Sequence, residues 1–151
     1  ILVAIIMGLL YRSFKMVIIS LIPNLIPLLV IGAIMGFFGI NLKITTAIVF
    51  TISFGIAVDD TIHFLSKFKL ELNKRKSVPY ALKRTIVGTG KAIVLTSAIL
   101  CSGFLLLLFS DFLGTFYMGL MISVTLFFAV LADLFLLPIL ILYFYGNKKK
   151  M

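Results

Sequence analysis

Apolar residues come in long blocks along this chain, with none of the two-residue alternation of a half-buried strand. The blocks cover residues 1–11, 16–38, 44–66, 92–109 and 115–145, separated by polar breaks at Arg12–Lys15, Gly39–Lys43 and Ser110–Gly114. All but the first approach or exceed the roughly 20 residues a helix needs to cross a bilayer. The first reads as the end of a further span. Because the chain begins on Ile with an apolar run already under way, it is expected to be a piece of something longer. Pro23 and Pro27 fall inside the second block and predict a kink or a membrane entry there, since each removes a backbone donor. Asp111 is expected in the loop, as a cap for the helix that follows.

Residues 67–91 form the one extended polar segment. Its centre, "SVPYALKRTIVGTGKA", predicts a short amphipathic helix on the membrane surface, with Ser77 at the cap and Pro79 in the first turn. Tyr80, Leu82, Ile86 and Val87 would make its apolar side while Lys83 and Arg84 stay wet. The fold class expected is therefore an all-α membrane protein, a bundle of five transmembrane helices plus this cytoplasmic-surface helix.

Composition supports lipid as the solvent: 62% of residues are hydrophobic. The formal net charge of +9 would suit nucleic acid if it lay on one face of a polar fold, but the fourteen Lys and Arg gather between apolar spans. With the spans alternating in direction, Lys43 falls on one side and all the other basic residues on the opposite one, which the positive-inside rule makes cytoplasmic, C-terminus included. Cys101 lies in an apolar run and reads as a small buried residue. No metal-ligand spacing, Gly-rich phosphate loop or nucleophile–base pair stands out, so neither an enzyme nor a bound cofactor is expected.

The stretch "GIAVDDTIHF" breaks the pattern, because it puts two carboxylates and an imidazole inside a span. On a helical wheel Asp59, Asp60 and His63 share one arc, extended by Thr45, Ser53 and Ser66, while Phe50, Phe54, Val58 and Leu65 take the other side. In lipid that predicts a polar face turned into a helix bundle, with Gly55 letting a neighbouring helix approach the carboxylates. An ionised Asp near the bilayer centre costs about 3 kcal/mol on insertion scales. Two together also repel, so a proton on one of them is favoured, as a proton carrier requires. His63, one turn from Asp59, would extend the relay. Asp133 in "ADLFLLP" is a second intramembrane carboxylate, with either a functional role or a bond across helices near backbone loosened by Pro138. Thr96, Ser97 and Ser102 are candidate hydrogen-bond partners for the carboxylates.

The segments "GIAVDDTIHFLSKFKLE", "TGKAIVLTSAILCSGFLLLLFS" and "GLMISVTLFFAVLADLFLLPILI" resemble the resistance–nodulation–division superfamily, in particular its branch of mycobacterial-membrane-protein-large and hydrophobe/amphiphile exporters. Gly55 with Asp59 and Asp60 matches the family's proton-relay motif on the fourth helix of a six-helix half. The resemblance implies a two-half, proton-driven exporter of hydrophobic or amphipathic substrates, lipids among them, in the bacterial inner membrane. This chain would be helices two to six of one half. The partners implied are the bilayer, the second half, the substrate and further copies in a homo-oligomer. Two alternatives stay open: a Sec-translocon accessory subunit, and a non-transporting, sterol-sensing-like lipid-binding module.

Overall fold

The computed structural model describes residues 7, 8, 11, 14–41, 43–74 and 77–146, and every regular element among them is helical. Helix α1 spans Phe14–Phe37 and α2 spans Ile44–Leu72. Helix α3 is a continuous rod built of Val78–Thr85, a π turn at Ile86–Gly90, Lys91–Leu105 and a 3-10 turn at Leu106–Phe109. Helix α4 comprises Leu113–Leu131, a π turn at Ala132–Leu136, and Leu137–Gly146. These four helices are long and apolar enough to cross a membrane. The expected span over residues 1–11 lies, apart from Met7, Gly8 and Tyr11, outside the described residues.

Two boundaries differ from the sequence expectation. Helix α2 does not stop at residue 66 but runs to Leu72, because its polar end is helical in chemistry as well as in shape. Lys67 pairs with Glu71 at 3.4 Å one turn on, and Lys74 closes on the same carboxylate at 2.8 Å. The helix at residues 78–85 is not a separate surface element either, since nothing between Gly88 and Gly90 breaks the backbone and the rod passes straight into the span. Pro79 sits in the first turn as expected, and Ser77 occupies the cap position without a side-chain hydrogen bond. Neither is Asp111 a cap. The cap of α4 is Phe112, whose N–H donates to Ser110 Oγ at 3.2 Å.

Turn chemistry fixes the other connection. Gly39 takes a left-handed φ of 64°, and Ile40 N–H then reaches back to the Met35 carbonyl at 2.9 Å, a Schellman closure of α1. Helix α1 itself runs unbroken through Pro23 and Pro27.

The bundle alternates up and down. Helix α4 packs on α1, α2 and α3, and α2 packs on α1 and α3. Helix α3 is the outlying member: 11% of its most apolar window is covered, against 39% for α1 and α2 and 44% for α4. One apolar cluster holds Tyr11, Phe64, Phe68, Leu82, Leu137 and Ile141 at the end where Lys67, Lys74, Lys83 and Arg84 lie. The other holds Ile31, Val49, Met121, Ile122 and Leu126 toward Lys43. Tyr11 ties the chain before α1 to α2, donating to the Ile62 carbonyl at 2.9 Å while Lys69 Nζ donates to Tyr11's own carbonyl at 3.1 Å.

Helices α3 and α4 approach most closely at Gly119. A Cβ there would lie 2.5 Å from the Phe104 carbonyl oxygen and 2.7 Å from Leu107 Cβ, so the two backbones touch only because the residue has no side chain. We expect Gly119→Ala to cost about 1–3 kcal/mol, as overpacking does. Gly103→Ala, with nothing within 4 Å, should cost far less. Thermal stability of the full-length protein in detergent, followed by size-exclusion elution, checks the pair.

Candidate functional site

Asp59 stands close to the middle of α2, about 22 Å from its first residue and about 20 Å from its last. It forms an i,i+4 pair with His63, Nε2 to Oδ1 at 3.5 Å, and both side chains are 69% uncovered. Asp60, one residue on, is half-buried and accepts a hydrogen bond from Ser97 Oγ on α3 at 3.3 Å.

These groups line a groove of about 1220 Å³ between α2 and α3, together with Ser66, Lys67, Thr89 and Thr96. The groove exists because α3 leans on α4 at Gly119 and stands away from α2 near Gly55. A Cβ at Gly55 would meet nothing within 4 Å. The close helix approach expected at Gly55 is thus absent among the described residues. Thr96 lines the groove but donates to the carbonyls of Ala92 and Ile93 on its own helix, both at 3.0 Å, and Ser102 likewise turns to Ile99. Of the three hydroxyls proposed from sequence, Ser97 is the one that reaches a carboxylate.

The polar face of α2 is also turned differently from expectation. Val58 and Leu65, assigned to the lipid side, are 6% and 0% exposed inside the core, whereas Asp59 and His63 look away from the other described helices. The reason is competition for α2's faces. Phe64, Leu65 and Phe68 fill the interior of the bundle at this end, packed against Tyr11, Leu82, Leu137 and Ile141. Ser53 is buried with its hydroxyl unpartnered, Ser66 meets the Tyr11 hydroxyl at 3.1 Å, and the Thr45 side chain lies outside those described.

A second polar group lies on the opposite, bundle-facing side of α2; it contains Asp133, singled out from the sequence, with Thr61 and Asn24, which were not. Thr61 Oγ1 is 2.8 Å from Asp133 Oδ1 on α4 and 3.3 Å from Asn24 Oδ1 on α1. All three side chains are at most 1% exposed. Asn24 donates through Nδ2 to the Ser20 carbonyl at 2.7 Å, which fixes its amide orientation. Asp133 sits in the π turn, where Leu137 N–H reaches the Ala132 carbonyl. That widened turn suits Pro138, whose ring would crowd the carbonyl four residues back in a regular helix.

A family model, the MMPL family, matches residues 1–150. The chain belongs to the MMPL family. Membership fits a multi-pass membrane protein of transporter type, in keeping with the four spanning helices. A relative from Methanocaldococcus jannaschii, whose name describes it only as a membrane protein, is 30% identical over 124 residues. That match takes in 82% of this chain but 32% of the relative, so the chain spans about a third of that protein's length. No solved structure matches it significantly.

For an MMPL chain so arranged, stability and surface chemistry should separate cleanly. Thr61→Val strands the buried Asp133 carboxyl and should cost about 1–3 kcal/mol. Asp59→Asn, whose i,i+4 partner His63 lies on the same helix, breaks no contact between the described helices and should cost less than Thr61→Val. Chemical or thermal denaturation of the full-length protein in detergent distinguishes the two.

Proposed function

We propose that this chain is one transmembrane half of a proton-driven exporter of hydrophobic or amphipathic molecules, with lipids as the leading substrate class. Asp59 and Asp60 bind and release the proton, and His63 tunes Asp59. The observation that carries this reading is the placement of both carboxylates and the imidazole in one groove at mid-helix. Hydroxyl-bearing side chains on α3 stand opposite them.

The chemistry follows from charge. An ionised Asp60 holds the Ser97 hydroxyl, so α2 and α3 are drawn together across the groove. A proton on Asp60 weakens its hold on Ser97 and removes the like-charge repulsion with Asp59. The two protonation states then favour different spacings of α2 and α3, which is the differential interaction any coupled conformational change needs. In the complete protein a second half covers the groove and limits its access to water. The basic end of the bundle faces the cytoplasm of a bacterial inner membrane. Copies of the protein can associate without altering this scheme.

The complete protein in proteoliposomes tests the proposal. Asp59→Asn combined with Asp60→Asn should bring proton-coupled lipid export down to the level of empty vesicles while the protein still elutes as a folded species. Full transport by that folded double variant would rule the role out. His63→Gln should move the pH profile of export without abolishing it, since the imidazole acts on Asp59 and is not itself the carrier.

A further inference from the structure

The buried group on the other face of α2 is short of protons. Asn24 Oδ1, Asp133 Oδ1 and Asp133 Oδ2 are acceptors, and among the described residues the hydroxyl of Thr61 is the one donor bonded to them. That hydroxyl also lies 3.1 Å from the Ala57 carbonyl of its own helix. Turning the Asn24 amide over would not help, because its oxygen would then face the Ser20 carbonyl now held by Nδ2 at 2.7 Å. With Asp133 ionised, Thr61 can satisfy Asp133 Oδ1, which leaves Asn24 Oδ1 and the charged Oδ2 unpartnered in a site at most 1% exposed. An unpaired buried charge of that kind is among the most costly things a fold can hold.

We infer that Asp133 carries a proton in this packing, and that the proton completes a directed chain from Asp133 through Thr61 to Asn24. The carboxyl hydroxyl on Oδ1 donates to Thr61 Oγ1 at 2.8 Å, and the Thr61 hydroxyl donates to Asn24 Oδ1 at 3.3 Å. Asn24 Nδ2 passes the sequence on to the Ser20 carbonyl. Asp133 Oδ2 becomes a neutral carbonyl oxygen, whose burial costs far less than that of a charge. The chain joins α4, α2 and α1, the helices whose apolar clusters make the core. The titratable group nearest in sequence on the packed helix α2 is Asp60, next to Thr61. Helix α1 presents only the neutral Asn24 and Ser20 here.

The site is a proton-loaded latch. Losing the proton reverses the direction of the Thr61 bond and strands an ionised oxygen, so the three helices hold this arrangement only while Asp133 is neutral. Used in the transport cycle, the latch would set the order of events, because Asp60 shares α2 with Thr61. That use rests on the transport reading, whereas the occupancy of Asp133 does not.

Infrared difference spectroscopy on the full-length protein in lipid nanodiscs reads the occupancy directly. At neutral pH a carboxylic-acid C=O band should be present that Asp133→Asn removes and that the Asp59→Asn/Asp60→Asn variant keeps. Thr61→Val should shift that band to higher wavenumber, since the acid loses its acceptor, and this arm stands if Asp133→Asn does not fold. No band lost in a folded Asp133→Asn protein, or no shift with Thr61→Val, overturns the inference. So does a band that appears only when sodium is withdrawn, which would make the site a cation site. Transport surviving removal of the Asp59/Asp60 pair with the Asp133 band intact would sink the exporter reading and leave this one standing.

Discussion

A polar group inside a bilayer has no water to return to, so each one here is either bonded within the bundle or placed where other matter must cover it. That constraint sorts the side chains of α2. The face carrying Thr61 is sealed by α1 and α4, and its partners Asn24 and Asp133 are buried there, with one carboxyl oxygen of Asp133 buried and unpartnered. The face carrying Asp59 and His63 opens on a groove floored by α3. Asp60 lies between them, touching α3 through Ser97. One helix thus holds a closed acid site and an open one, and no side chain can adjust to either without α2 feeling it.

Much of the fold was legible in the sequence because lipid solvent leaves few options. Blocks such as residues 16–38 and 44–66 could hardly be anything but spanning helices. The ends were harder to read. Residues 67–72 were assigned to a polar segment on composition, yet Lys67, Glu71 and Lys74 are spaced as helix neighbours and extend α2. Gly88 and Gly90 looked like punctuation, but α3 absorbs them in a π turn, since two glycines cost only about 1 kcal/mol each within a helix.

The site was half legible. Asp59, Asp60 and His63 announce themselves by charge, and the helical wheel put them on one face correctly. What the wheel could not give was which face the bundle would choose, because that depends on which side chains of the other helices meet Phe64, Leu65 and Phe68. Asn24 and Thr61 carry no charge and sit 37 residues apart, with Asp133 a further 72 beyond Thr61. A lone amide between Pro23 and Pro27, in a span otherwise apolar around it, was the one local sign that something across the bundle needed a polar partner.

The direction of the hydrogen bonds decides what such a cluster can do. A hydroxyl that donates to a carboxylate can equally accept from a carboxylic acid, so Thr61 is the one member able to serve both states without moving. Asn24 cannot, because its nitrogen is committed to the Ser20 carbonyl and only its oxygen faces inward. The amide therefore biases the whole group toward the protonated form, and it does so from α1, a helix with no part in the open groove. Loosening α1 from α2 removes that bias and frees the Asp133 proton. Conversely, a charge left on Asp133 weakens the hold of α1. The separation of the two acid sites onto opposite faces of α2 thus ties the state of the buried one to packing at the bundle's centre, while the groove beside α3 stays open among the described helices.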